Sequence, residues 1–281
     1  MIAICPNPFR DLDLKLTKDC IRLLSEAGYD SVVCPVFAED EPEALPSDLQ
    51  YRKLEEVKKD CALAVVIGGD GTILSVVRNL RSVEVPMLGI NLGTKGFMAN
   101  LEPEDLPLVV KAARGEYRIS RRMMLEAQLW RGDKLLCVDH ALNDVVLHGY
   151  GDCIGMTTTC NGDRVSQISG DGIILSTPTG STGYSMSAGG PIVEPEAENI
   201  IISPICPHVM GARSFVLDAQ RVVQVTAERL HGRRAYLAID GNSVADLAGG
   251  DRVLVRRSEH HTLMADLGLK SFYDIAYEKL T

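Results

Sequence analysis

The sequence lacks any apolar run approaching the ~20 residues that a bilayer-spanning helix needs, so no transmembrane segment is expected. Its opening, Met1-Ile2-Ala3-Ile4-Cys5-Pro6, has neither a basic stretch nor a small-residue cleavage site. No secretory signal is expected there, and the chain reads as cytoplasmic with no membrane partner. Clustered lysine and arginine are also missing, and the net charge is −9. A nucleic-acid surface needs a basic footprint to displace counterions, so nucleic acid is not an expected partner. An anionic small ligand stays compatible with this charge if backbone N–H groups, a helix N-terminus or a metal ion hold it. The eight cysteines include no C-x-x-C pair, which argues against a zinc or dithiol site; buried thiols in a reducing compartment are expected. Neither an internal repeat nor a low-complexity segment is visible.

What is present is an ordinary globular mix, 46% apolar and 24% charged over 281 residues, enough for one large or two medium domains. The first third alternates strand and helix. Strands are expected at Ile2 to Cys5, Val32 to Pro35, Ala62 to Ile67 and Met87 to Ile90. Leu16, Cys20, Leu23, Leu24 and Ala27 fall at helical spacing before Gly28, a natural C-terminal cap. A further helix is expected from Thr72 to about Leu80. Residues 39–47 read as an exposed loop. After about Ile119 the segments become short and strand-like. Turn signals separate them: Arg131-Gly132-Asp133-Lys134, Asn161-Gly162-Asp163, Asp240-Gly241-Asn242 and Gly249-Gly250-Asp251. At the end, Ser271 can cap a last helix, with Asp274 three residues on and Phe272, Ile275, Ala276 and Leu280 along one face.

The fold class expected is therefore an α/β N-terminal domain on an open parallel sheet, a β-rich C-terminal domain, and a C-terminal helix returning to the first domain. The boundaries expected are 1–119 plus 266–281 for the first and 120–265 for the second.

The sharpest local signal is Gly68-Gly69-Asp70-Gly71-Thr72, between a buried strand and a helix. Glycines let a backbone turn tightly and approach phosphates, and the following helix offers N–H groups and a positive dipole end. A carboxylate at a strand's carboxyl end can reach the crevice where open α/β sheets bind ligands; there it can take a hydroxyl proton or help to hold Mg²⁺. No Gly-Lys-Ser/Thr follows, so this is not a Walker A loop. A second constellation runs from Gly170-Asp171-Gly172, through Ile173-Ile174-Leu175, to the hydroxyl-rich stretch Ser176-Thr177-Pro178-Thr179-Gly180-Ser181-Thr182-Gly183-Tyr184-Ser185-Met186-Ser187-Ala188-Gly189-Gly190-Pro191. A helix is expected to open near Thr182. Hydroxyls and N–H groups there can grip phosphate oxygens and base edges.

Along the whole chain the sequence resembles the NAD kinase family. The resemblance rests on Gly68-Gly69-Asp70-Gly71, Asn91-Leu92-Gly93 with Gly96-Phe97, Ala141-Leu142-Asn143-Asp144, Asp171 to Pro191, Pro204-Ile205-Cys206-Pro207-His208, and Asp240-Gly241. It implies ATP-dependent phosphorylation of the 2′-hydroxyl on the adenosine ribose of NAD, with Mg²⁺ or another divalent metal. It implies Asp70 as the catalytic carboxylate in a nucleotide loop of Gly68, Gly69 and Gly71. Asn143 and Asp144 would bind the acceptor ribose, and Asp171 would lie near the acceptor, in family members partly across a subunit interface. Thr182, Gly183, Tyr184 and Ser187 would line the adenine and pyrophosphate, with Asn242 a late polar contact. A homo-oligomer, dimer or tetramer, is also implied. Three positions depart from the family pattern: Asp144 stands for a glutamate, Gly183 for an alanine, and Ser169 where a basic residue is common. The alternatives are a lipid or sphingoid kinase with the same glycine-aspartate loop, and a non-catalytic NAD(P) sensor. His208 reads as part of a structural turn, His260 and His261 as surface residues, and Lys95 as either a phosphate contact or a solvated side chain.

Overall fold

A computed structural model describes residues 1–37, 45–80, 83–93, 96–99, 101–209 and 211–280. Most of the 39–47 loop, and Lys95, lie outside the described residues. The chain divides into two compact units, Met1–Arg121 with Thr262–Thr281, and Arg122–His261.

The first unit opens with β1 (Ile2–Pro6), α1 (Lys15–Glu26), β2 (Ser31–Val33), α2 (Leu54–Val57), β3 (Leu63–Gly68), α3 (Asp70–Leu80), β4 (Met87–Asn91) and α4 (Val109–Ala113). Its strands are parallel in the order β2-β1-β3-β4, and Met264 pairs with Met87 beyond β4. Every residue of β1, β3 and β4 is buried, the condition that makes parallel strands read as unbroken apolar runs. Gly28 ends α1 at φ +82°: its N–H reaches Ser25 O at 3.0 Å and the Tyr29 N–H reaches Leu24 O at 2.9 Å, a double closure that favours glycine. The chain order reverses at β1, since β2 lies on one side and β3 on the other. The carboxyl ends of β1 and β3 therefore flank a topological switch point, the place where open α/β sheets bind ligands.

The second unit holds strands β5 (Arg118–Arg131), β6 (Lys134–Ala141), β7 (Asp144–Gly149), β8 (Ile154–Cys160), β9 (Asp163–Gly170) and β10 (Gly172–Ser176), a short helix α5 (Tyr184–Ser187), then β11 (Asn199–Ile205), β12 (Phe215–Asp218), β13 (Val223–Ala227), β14 (Ala235–Ile239), β15 (Asn242–Leu247) and β16 (Arg252–Asp266); β5 begins and β16 ends in the first unit. One antiparallel sheet runs β12-β11-β10-β7-β14-β15, and β6, β5, β16, β13, β8 and β9 are neighbours in the other. Val145, Leu147, Ile173, Leu175, Leu237 and Ile239 of the first sheet share a core with Leu125, Leu129, Val223, Val225, Val253 and Val255 of the second. The alternation of strand side chains puts Asp144, Val146 and His148 on the other face of β7. There Val146, Ile174, Ile205 and Ala238 form a smaller apolar floor beneath Ala188 and Tyr236.

The last helix, α6 (Phe272–Leu280), is capped as expected: Ser271 N–H donates to Asp274 Oδ2 at 2.9 Å and Asp274 N–H to Ser271 Oγ at 3.1 Å. Leu280, however, is exposed, and only Ile275 of α6 is buried. Three further expectations need correction. Helix α3 starts at Asp70, two residues before Thr72, because Gly69 O already accepts the Thr72 N–H at 2.9 Å. The stretch near Thr182 is no continuous helix but a 3-10 turn, Thr179–Thr182, and one turn of α5, divided at Gly183. Only Cys5, Cys20 and Cys34 are buried, and Cys206 is exposed.

Candidate active site

In the first unit the glycine-aspartate loop leaves β3 at the switch point. Its glycines do different things. A Cβ on Gly68 would collide with the Thr72 side chain, which folds back over the loop and accepts the Gly69 N–H at 3.3 Å. Cβ atoms on Gly69 or Gly71 would meet nothing within 4 Å among the described residues, and neither glycine has a positive φ. The fold does not require glycine at those two positions; the open space there suits a ligand that approaches the backbone closely. The N–H groups of Asp70 and Gly71 find no acceptor among the described residues, so the start of α3 has donors to offer an anion.

Asp70 itself is half-buried. Its Oδ2 accepts the Phe97 N–H at 2.8 Å and its Oδ1 the Met98 N–H at 3.1 Å. Burial pushes its pKa above the ordinary carboxylate value, and the N–H donors of Phe97, Met98 and Ala99 oppose that push. Cβ atoms on Gly93 and Gly96 would lie 3.3 and 3.1 Å from Asn91 Oδ1, so the buried Asn91 needs small neighbours in the segment that holds Asp70. Asn7, at the end of β1, donates its side-chain amide to Thr72 Oγ1 at 3.3 Å. Sequence reasoning passed over Asn7; its signal was a polar residue at the carboxyl end of the first buried strand.

In the second unit, Asn143 and Asp144 stand at the start of β7, while Asp171 lies at that strand's other end, its carbonyl accepting the Gly149 N–H at 2.9 Å. Asn143 and Asp144 enter that strand, and the Thr177–Gly180 segment is pinned to them. Thr177 N–H donates to Asn143 O at 2.9 Å, and Thr177 Oγ1 donates to Leu142 O at 2.6 Å. A Cβ on Gly180 would strike the Asn143 backbone, and one on Gly183 would stand 3.3 Å from Gly180 O and 3.5 Å from Asn143 Nδ2. An alanine at 183 is thus tight but tolerable, whereas Gly180 is dictated by contact. Asn143 Oδ1 is buried without a hydrogen-bond partner among the described residues, and a ligand hydroxyl could donate to it.

Asp144 is 6% exposed, and no side chain or backbone group among the described residues donates to its carboxylate. Burial, helped by the nearby Asp240 charge, raises its pKa to about 7. Tyr184 and Ser187 share the exposed face of α5, while Ser185 turns beneath to Ser203 at 3.0 Å. The Tyr184 phenol is pushed up by burial first, and then by the charges of Tyr236, Cys206, Asp171 and Asp144. Asp171 sits between Gly170 and Gly172, where Cβ atoms would strike the backbones of Ile205 and Leu147; these two glycines serve strand packing. Thr182 Oγ1 closes its own turn on Thr179 O at 3.3 Å. Asn242 is exposed, with its amide nitrogen donating to Asp240 O at 2.9 Å.

The histidines divide. His208 lies exposed in a turn, its N–H on Ser169 O at 2.8 Å. His260 and His261 are not simple surface residues. They are half-buried on opposite faces of β16, His260 edge-on to His140 with ring centroids 5.2 Å apart and His261 beside Arg257.

A parallel α/β unit with an open glycine loop at its switch point, and a β-sandwich unit with paired carboxylates and hydroxyls on an outer face, define a nucleotide-handling protein. Residues 2–114 match the ATP-NAD kinase N-terminal domain and residues 142–267 the ATP-NAD kinase C-terminal domain. The NAD kinase of Acetivibrio thermocellus is 34% identical over 99% of this chain and 96% of its own, and that of Geobacter metallireducens 40% identical over 80% and 81%. Among solved structures, yeast NADH kinase complexed with NADH aligns at TM-score 0.85 and 27% identity over 99% of this chain and 86% of its own. An NAD kinase from Archaeoglobus fulgidus in complex with ATP aligns at 0.78 and 25% over 100% and 98%. The chain belongs to the NAD kinase family.

Proposed function

We propose that the protein transfers the terminal phosphoryl group of ATP to the 2′-hydroxyl of the adenosine ribose of NAD, giving NADP. The observation that carries this reading, beside the family, is the pairing of a half-buried Asp70 with open space at Gly69 and Gly71 and with N–H groups of Asp70 and Gly71 that find no acceptor among the described residues. Gly68, Gly69 and Gly71 shape the loop for the triphosphate. Asn143 and Asp144 hold the acceptor ribose, Asn143 through its side-chain carbonyl oxygen. Asp171, Thr182, Gly183, Tyr184, Ser187 and Asn242 serve the rest of the dinucleotide. Asp70 orients the attacking hydroxyl and takes its proton as the bond to phosphorus forms. Its burial favours this role, because a carboxylate that gives up water binds a proton more readily.

No group of three or more ligating side chains is present among the described residues. A Mg²⁺ ion would be held mainly by the nucleotide's own phosphate oxygens, with Asp70 as the carboxylate of the phosphate loop. When bound, the ion supplies charge neutralisation on the transferring oxygens. No helix among the described residues is long and apolar enough to cross a membrane. A cytoplasmic homo-oligomer, dimer or tetramer, completes the proposal.

The test is incubation with NAD, ATP and Mg²⁺, read out by a dehydrogenase strictly dependent on NADP. NADP appearing only when all three are present supports the kinase. Its absence, with ATP consumed on sphingoid bases or diacylglycerol, would favour a lipid kinase. Binding of NAD without turnover would favour a sensor.

A further inference from the structure

Asp240 has a role that the substrate-contact reading does not use. It is the first residue of a two-residue hairpin turn joining β14 to β15, with Asp240 at φ +46° and Gly241 at φ +78°. Positive φ at both central positions matches the twist of such hairpins, which explains the glycine. Turn geometry alone would accept asparagine or a second glycine at position 240. The side chain supplies the reason for an aspartate. Oδ2 accepts the Leu142 N–H at 2.8 Å, while Oδ1 accepts the N–H groups of Asn143 at 2.7 Å and Asp144 at 3.0 Å. In return the Asp240 N–H donates to Asp144 O at 3.0 Å. Three consecutive amides from the entry to β7 thus converge on one carboxylate, a nest only an acceptor with two oxygens satisfies.

We infer that Asp240 is the positioning residue of the acceptor half of the site, holding Asn143 and Asp144 in place through their backbone amides and not by touching substrate. The inference rests on the NAD kinase reading for its kinetic consequence, but the clamp is a property of the chain alone. The Asp240 carboxylate faces Asp144 from the β14–β15 turn, and its charge adds to the burial that raises the Asp144 pKa. Tyr184 faces the same carboxylate from α5, with Asp171, Cys206 and Tyr236 around that phenol. Asp240 therefore governs both where Asp144 stands and how readily it ionises.

The decisive variant is Asp240→Asn. Asparagine tolerates the left-handed region and keeps the hairpin, yet its amide nitrogen must confront at least one of the three N–H donors. The KM for NAD is expected to rise about tenfold, the scale of one lost hydrogen bond to a charged group, while the KM for ATP stays nearly constant. The acid limb of kcat/KM for NAD should move to lower pH, since Asp144 loses its anionic neighbour. Amide hydrogen exchange should quicken at residues 142–144 and stay slow in β14. Unchanged exchange at 142–144 would overturn the inference, as would an unaltered NAD KM or equal rises in both KM values. If the unmodified protein made no NADP, the kinase reading would fail, and the exchange comparison would still decide the clamp.

Discussion

The backbone N–H of Phe97 donates to Asp70 Oδ2 at 2.8 Å, across 27 residues of sequence. With Met98 bonded to the other oxygen, the carboxylate is held in one orientation before any substrate arrives. Catalysis by such a group comes from positioning as much as from basicity. Asp70→Asn keeps the side chain's shape but loses its capacity to take a proton. Turnover is expected to fall by at least ~100-fold, the low end of what general base catalysis contributes. NAD binding measured by calorimetry should hardly change. Wild-type turnover in this variant would end the assignment.

The loop glycines separate fold from function by sign. Gly68→Ala drives a Cβ into Thr72 and should lower stability in urea by about 1–3 kcal/mol. Gly71→Ala sits on the exposed first turn of α3 with nothing near it among the described residues, and should raise stability by up to about 1 kcal/mol. The second variant should nevertheless raise the KM for ATP. An ATP KM unmoved by Gly71→Ala would mean that no phosphate approaches that backbone.

Asp144 predicts a pH dependence. Its pKa is about 7 in the folded chain and about 3.9 when unfolded. Between those values the folded state keeps a proton that the unfolded state has released, so stability falls as pH rises through the window, and the loss is complete above about 7. Asp144→Asn cannot ionise and escapes the loss. Its melting temperature relative to wild type should therefore climb from pH 4 to pH 8. A constant difference across that range would show that Asp144 is ionised throughout.

Asn143→Ala removes the buried, unpartnered Oδ1 and should raise the KM for NAD far more than that for ATP. Steady-state kinetics with each substrate varied in turn give the comparison. Equal effects would place Asn143 outside the acceptor contact.

Much of the fold was legible because its signals are local. The unbroken apolar β3, the Gly28 cap, the Ser271–Asp274 box and the hairpin turns at Asn161-Gly162 and Asp240-Gly241 each depend on residues within a few positions of one another. The two-turn break at Gly183 was not legible, since hydroxyls and glycines around it suit a helix start as well as a turn. Nor were the positions of His140 and His260, which lie 120 residues apart and meet only through strand pairing.

The sequence by itself determined the α/β order of the first unit, the β-rich character of the second, and the glycine-aspartate loop between β3 and α3, because periodicity and turn chemistry act over a few residues. Only the tertiary structure decided that Gly69 and Gly71 are free of steric need while Gly68 and Gly180 are not, that Asn7 bonds to Thr72, and that Asp240 gathers the amides of 142–144. Those facts depend on backbones distant in sequence approaching to hydrogen-bond distance, and local pattern carries no record of such approaches.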